Sequence, residues 1–119
     1  MRRIKVLLIT VLITGAVFVL YAVRVAWVHV LHDDACHVIA LEIAARKADN
    51  GAVSDREMRA MIAELINASV IRGRIDGDGS PTDLNGNSFA VCHDEKRVSV
   101  ATRRSFWEPF AVERKVPVE

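Results

Sequence analysis

Residues 6–23 read Val6-Leu7-Leu8-Ile9-Thr10-Val11-Leu12-Ile13-Thr14-Gly15-Ala16-Val17-Phe18-Val19-Leu20-Tyr21-Ala22-Val23, eighteen consecutive positions without a charge. At the helical rise this run covers roughly 27 Å, against roughly 30 Å for the hydrocarbon core of a bilayer. Ile4 and the stretch Val25, Ala26, Trp27 and Val28 extend it. Lys5 and Arg24 flank it at distances from which their side chains reach the two interfaces. Tyr21 and Trp27 lie where an interfacial aromatic belt sits. The many β-branched residues do not argue against a helix, because a lipid core offers the backbone no other hydrogen-bond partner.

The flanks set the orientation. Arg2, Arg3 and Lys5 precede the run and Asp33-Asp34 follows it, so the positive-inside tendency expects a cytoplasmic N-terminus and an exported remainder. A cleaved signal peptide is the competing reading. Its apolar region is shorter, roughly 7–15 residues, and ends at a small-x-small site. Here the run passes into Tyr21, Arg24 and Trp27 with no such site. The expected organisation is a transmembrane anchor over residues 1–31 with a short cytoplasmic N-terminus. A small extracytoplasmic domain follows over residues 32–119, periplasmic in a bacterium.

Charge follows the same division. Through His32 there are four basic residues and no acidic one; from Asp33 onward there are twelve basic and fifteen acidic. The basic pairs Arg46-Lys47, Arg103-Arg104 and Arg114-Lys115 are scattered among acids, which disfavours a nucleic-acid binder.

The soluble part begins with helical periodicity. Val38, Leu41, Ala44 or Ala45 and Ala48 recur at helix spacing over residues 34–49, and Asn50-Gly51 is a stop signal. This segment either starts at an Asp33 or Asp34 cap or continues the membrane helix through a kink at His32-Asp33. Ser54-Asp55-Arg56-Glu57 is a capping box, and Met58, Met61 or Ile62, Leu65 and Ile66 supply the apolar stripe of a second helix. Residues 72–87 are rich in Gly, Asp, Asn, Ser and Pro and read as loop. The period then changes to two. Residues 88–92 predict a strand with Phe89 and Val91 on one face, and Asp94-Glu95-Lys96 a turn. Residues 97–102 predict the return strand, and residues 110–116 a third with Pro109 and Pro117 at its ends. The expected fold class is α+β: an N-terminal transmembrane helix, then short helices packed on a small antiparallel sheet.

This order of elements, together with Asp83-Leu84-Asn85-Gly86-Asn87-Ser88-Phe89-Ala90-Val91, resembles the pseudopilins of type II secretion systems. That family carries D-x-W-G-N-P-[FY] just before its sheet; here Asn85 replaces the tryptophan and Ser88 the proline. The resemblance covers roughly residues 76–102. It implies a membrane helix that continues outward onto a small antiparallel sheet. It does not extend to the prepilin peptidase site: Met1-Arg2-Arg3-Ile4-Lys5-Val6-Leu7 has neither the Gly nor the Glu of that site.

Several clusters are candidate sites. Asp76-Gly77-Asp78-Gly79-Ser80 begins like a calcium loop, since clustered oxygens suit a hard cation. Pro81 stands where an EF-hand needs Gly and Asn87 where it needs a bidentate carboxylate, which leaves a looser Ca²⁺ site through Asp76, Asp78 and Asp83. Some pseudopilins bind calcium in their sheet loops, so the resemblance points the same way. Cys36 and Cys92 are a candidate disulfide in an exported domain, closing a loop of roughly 57 residues with a model stabilisation of about 4 kcal/mol. The same cysteines with His32, His37 and His93 form the alternative, a metal-binding or redox-active module. No Walker A, Rossmann or haem-attachment motif is present, and adjacency in Cys36-His37 and Cys92-His93 does not create a catalytic dyad. Phe106, Trp107 and Phe110 concentrate three of seven aromatic residues in five positions. Either Phe106 and Phe110 close the core while Trp107 covers an edge, or Trp107 anchors a partner with Arg103, Arg104 and Glu108 as its polar rim.

The functional expectation is a non-enzymatic, membrane-anchored structural or accessory envelope protein, pseudopilin-like and linked to secretion or pilus-type machinery. Its partners would be the lipid bilayer and other membrane or envelope proteins, with no nucleic acid and no cofactor beyond the candidate calcium.

Overall fold

The computed structural model describes residues 1–118. One helix, α1 (Arg2–Asn50), runs unbroken for 49 residues, so the apolar run and the helix expected over residues 34–49 are a single element without the alternative start at Asp33 or Asp34. Its sequence holds no proline, and its one glycine, Gly15, lies within the apolar run. Nothing therefore interrupts the hydrogen-bond ladder. Gly51 ends it in the left-handed conformation (φ 77°), its N–H donating to the Lys47 carbonyl at 2.8 Å. At the helical rise 49 residues span about 73 Å, and the longest dimension of the molecule is 73 Å. α1 is long and apolar enough to cross a membrane.

The helix changes character along its length. No side chain before Val28 is buried. From there Val28, His32, Ala35, Cys36, Ile39, Ala40, Ile43 and Ala44 are buried, a stripe spaced by threes and fours. The stripe expected from sequence is displaced: Leu41 is 47% exposed and Val38 only partly covered. Both faces are apolar enough to be read as the core side. The alanines and Cys36 decide between them, because small side chains let a sheet approach the helix axis closely.

The partner of that stripe is an antiparallel sheet, β3 (Ala90–His93), β4 (Arg97–Ala101) and β5 (Glu113–Pro117), with β4 central. Val98 and Val100 of β4 are fully buried against α1, and Val112 and Val116 extend that face. Asp94 turns the chain from β3 to β4, its carboxylate accepting from the N–H groups of Lys96 and Arg97, each at 2.8 Å. β5 is an edge strand ending at Pro117, where a missing N–H breaks no ladder.

α2 (Asp55–Asn67) starts at the expected cap, the Ser54 hydroxyl oxygen accepting from the Glu57 N–H at 3.2 Å. Met58, Met61 and Ile62 face the core, with Leu65 and Ile66 partly covered. The glycine-rich segment is not only loop: β1 (Arg74–Ile75) and β2 (Pro81–Thr82) pair as a short hairpin beneath α2. The architecture is α+β, as expected.

Candidate functional site

Where α1 leaves its apolar run, three distant segments meet on one buried histidine. His32 lies on α1, Leu84 on the turn after β2, and Glu108 on the connection between β4 and β5. The Leu84 N–H donates to His32 Nε2 at 3.1 Å, and His32 Nδ1 lies 2.8 Å from Glu108 Oε2. A backbone amide can only donate, so Nε2 carries no proton and the neutral ring's proton sits on Nδ1, aimed at Glu108. The other Glu108 oxygen accepts from the Thr102 hydroxyl at 2.7 Å. Thr102 Oγ1 in turn accepts from the Val112 N–H at 3.1 Å. His32 is fully buried and Glu108 is 1% exposed.

Asp83 completes the cluster. Its Oδ1 accepts from the N–H groups of Asn85 (2.8 Å) and Asn87 (3.1 Å), the Asx-turn geometry that shapes Asp83-Leu84-Asn85-Gly86-Asn87. Gly86 takes the left-handed conformation (φ 82°) this turn requires. The second oxygen, Oδ2, is buried without a partner.

His32, Asp83 and Glu108 each offer a ligand atom within 4.8 Å of the others, the separation of a metal site. The hydrogen bonds oppose that use. With Leu84 N–H on Nε2, an ion on Nδ1 would displace the ring's only proton and require an imidazolate. The arrangement works instead as a clamp that fixes two sheet connections to α1 through buried, charge-assisted bonds.

The connection carrying Glu108 turns tightly. Ser105 and Glu108 exchange backbone hydrogen bonds at 3.0 and 3.1 Å, and Arg104 Nε donates to the Pro109 carbonyl at 2.7 Å. With Glu108 pointing inward, Phe106 and Trp107 are turned toward the apolar part of α1. The Tyr21 hydroxyl donates to the Phe106 carbonyl at 2.6 Å. Tyr21, Phe106 and Trp107 form a ring cluster with centroids 5.0 to 5.6 Å apart. The Arg24 guanidinium lies 5.0 Å from the centre of the Trp107 ring system, a cation–π contact. Phe106 and Phe110 nevertheless remain 71% exposed and Trp107 40%.

Several expectations are corrected by this geometry. Cys36 and Cys92 are free, not bridged. Cys36 is in the helix stripe facing the sheet. Cys92 pairs in register with Ser99, between the inward Val98 and Val100, so it projects from the opposite face. Asp76, Asp78 and Asp83 do not converge: Asp76 and Asp78 are exposed at the β1–β2 turn, where Asp78 accepts from the Ser80 N–H, while Asp83 points into the core. The histidines and cysteines of the alternative reading are likewise dispersed. His32 is held by Glu108 and Leu84, and His93 Nδ1 lies 2.8 Å from Lys47 Nζ. Arg103 and Arg104 are exposed as a rim would be, but Glu108 is buried and cannot belong to one. Phe106 and Phe110 do not close the core. No local pattern marks His32 as a structural centre or Tyr21 as a docking point, beyond a histidine in phase with Val28, Ala35, Cys36 and Ile39.

No protein-family model, curated protein or solved structure matches this chain. The fold and the site therefore define its class by themselves: a small α+β domain built directly onto a helix long and apolar enough to span a bilayer.

Proposed function

We propose that the chain is a single-pass membrane protein that acts by position and contact, a pseudopilin-like structural or accessory component of the cell envelope. One observation carries this reading. The same 49-residue helix is bare and apolar in its first half and is the core of the folded domain in its second. A helix shared in this way transmits position from the bilayer to the domain without a hinge. The His32–Glu108 clamp and the bidentate Asp33–Arg114 ion pair, both bonds at 2.7 Å, reinforce the joint just beyond the apolar run. The basic N-terminal flank favours a cytoplasmic N-terminus and an exported domain.

The side chains support a non-catalytic role. The buried histidine is engaged at both nitrogens. Burial, with the charges of Glu108, Asp33 and Asp83 nearby, pushes the Cys36 thiol up to about 12, far from a reactive thiolate. The resemblance to pseudopilins is supported by a half-buried helix under a three-stranded antiparallel sheet, and it departs at the N-terminus, which lacks the peptidase site.

The test is in native membranes. The full chain should resist alkaline carbonate extraction, and its domain should be digested by protease added from the extracytoplasmic side only. Crosslinking should then recover subunits of a secretion or pilus-type assembly. Release of a soluble domain with a new N-terminus between Ala22 and Cys36 would overturn the anchor. Crosslinks confined to unrelated proteins would overturn the assembly assignment.

A further inference from the structure

We propose that the β4–β5 connection is a second membrane contact: Phe106, Trp107 and Phe110 sit in the lipid interface beside α1, with Arg24, Arg103 and Arg104 at anionic phospholipid headgroups. The proposal rests on α1 spanning the bilayer. Tyr21 belongs to the apolar run and Arg24 lies about 4.5 Å further along the axis. With residues 6–23 in the hydrocarbon, these two positions mark its outer boundary. Phe106 and Trp107 touch Tyr21 and Arg24, so the loop tip lies at that same depth, not in the aqueous space.

The chemistry of the tip suits that depth. Tyrosine and tryptophan are favoured at membrane interfaces, with their rings among acyl chains and their polar atoms toward the headgroups. The exposed rings of Phe106 and Phe110 are unexplained in water but at home there. Two apolar grooves, of about 710 and 520 Å³, run between the loop and α1, one beside Phe106 and Trp107 and the other beside Pro109 and Phe110. Each continues the bare lipid-facing surface of the helix. The charge is one-sided: within residues 103–112 the one acid, Glu108, is buried on His32, while Arg103 and Arg104 are exposed. Basic side chains at this depth are attracted to an anionic headgroup surface.

The experiment uses the full chain in vesicles with Trp27→Phe, which leaves Trp107 as the sole tryptophan. Lipids brominated at shallow acyl positions should quench Trp107 strongly, and aqueous iodide should not. Quenching should be greater in phosphatidylglycerol-containing vesicles than in phosphatidylcholine alone. The further changes Phe106→Ser and Phe110→Ser should leave flotation with vesicles intact and remove about half or more of the bromolipid quenching. A chain that does not float with vesicles removes the spanning helix, and this proposal with it. A chain that floats but whose Trp107 is reached by iodide, or is shielded from both quenchers by protein, removes the loop insertion alone. Equal quenching in the two lipids overturns the headgroup assignment.

Discussion

His32 and Glu108, 76 residues apart in sequence, meet through a 2.8 Å bond in a buried site. Glu108→Ala would leave the His32 Nδ1–H and the Thr102 hydroxyl buried without an acceptor. His32→Ala would strand the Leu84 N–H and leave the buried Glu108 carboxylate with only Thr102 and a long Asn85 contact as donors. Each should cost about 2–4 kcal/mol, seen as a lower melting temperature of the full chain in detergent. The double variant should cost less than the sum of the two. Additive losses would mean that the two side chains do not act through each other.

The two cysteines should differ sharply toward an alkylating agent. Cys92 is exposed, and Cys36 is buried with its thiol pushed up to about 12. At pH 8 the folded protein should take up one label, on Cys92, without prior reduction, and a second only in denaturant. Rapid labelling of both in the folded state would contradict the packing of α1 on the sheet. Absence of labelling until reduction would restore the disulfide.

Gly73 is a packing position. A Cβ there would come within 2.6 Å of the Thr82 carbonyl oxygen and 2.9 Å of Ile66, and the first of these neighbours is backbone. Gly73→Ala should therefore push the start of β1 away from β2 and press on Ile66 of α2, at a cost of about 1–3 kcal/mol. Gly77→Ala, which meets nothing within 4 Å, is the control. Thermal unfolding of the two variants side by side checks the contrast.

The Asp33–Arg114 pair predicts an acid dependence. The bidentate hydrogen bond from Arg114 holds the Asp33 carboxyl below its usual 3.8, and Arg114 is raised in turn. A depressed folded-state value stabilises at pH above the unfolded value, and that contribution disappears as pH falls through the folded one. The melting-temperature difference between the parent and Arg114→Gln should be present at pH 6 and close progressively below pH 4. It should be small, because both side chains are well exposed and salt screens them. A gap that widens on acidification would reverse the assignment.

Wherever the determining interaction is local, this fold was legible. The apolar portion of α1 follows from eighteen consecutive uncharged residues, the start of α2 from Ser54 and Glu57, and the β3–β4 turn from Asp94, because each signal lies within one short segment of chain. Even the separation of the cysteines was implicit: Phe89 and Val91 on one face of a strand send Cys92 to the other. The β1–β2 hairpin has no such signal, because two-residue strands carry no period.

The stretch from Val6 to Val23 determined by itself that the chain carries a long apolar helix, since bilayer-length hydrophobicity is a property of consecutive residues. Alternation beyond Ser88 likewise determined a small antiparallel sheet. Only the tertiary structure decided which face of α1 is buried, because residues 28–50 offer two apolar stripes and the small side chains that break the tie matter only against a sheet. It also decided that Asp83 joins His32 and Glu108 instead of Asp76 and Asp78, and that Trp107 reaches back to Arg24. These contacts cross 25 to 83 residues of chain. No local periodicity encodes them; they exist because helix and sheet must share one core, which brings the turns between strands down onto the long apolar helix.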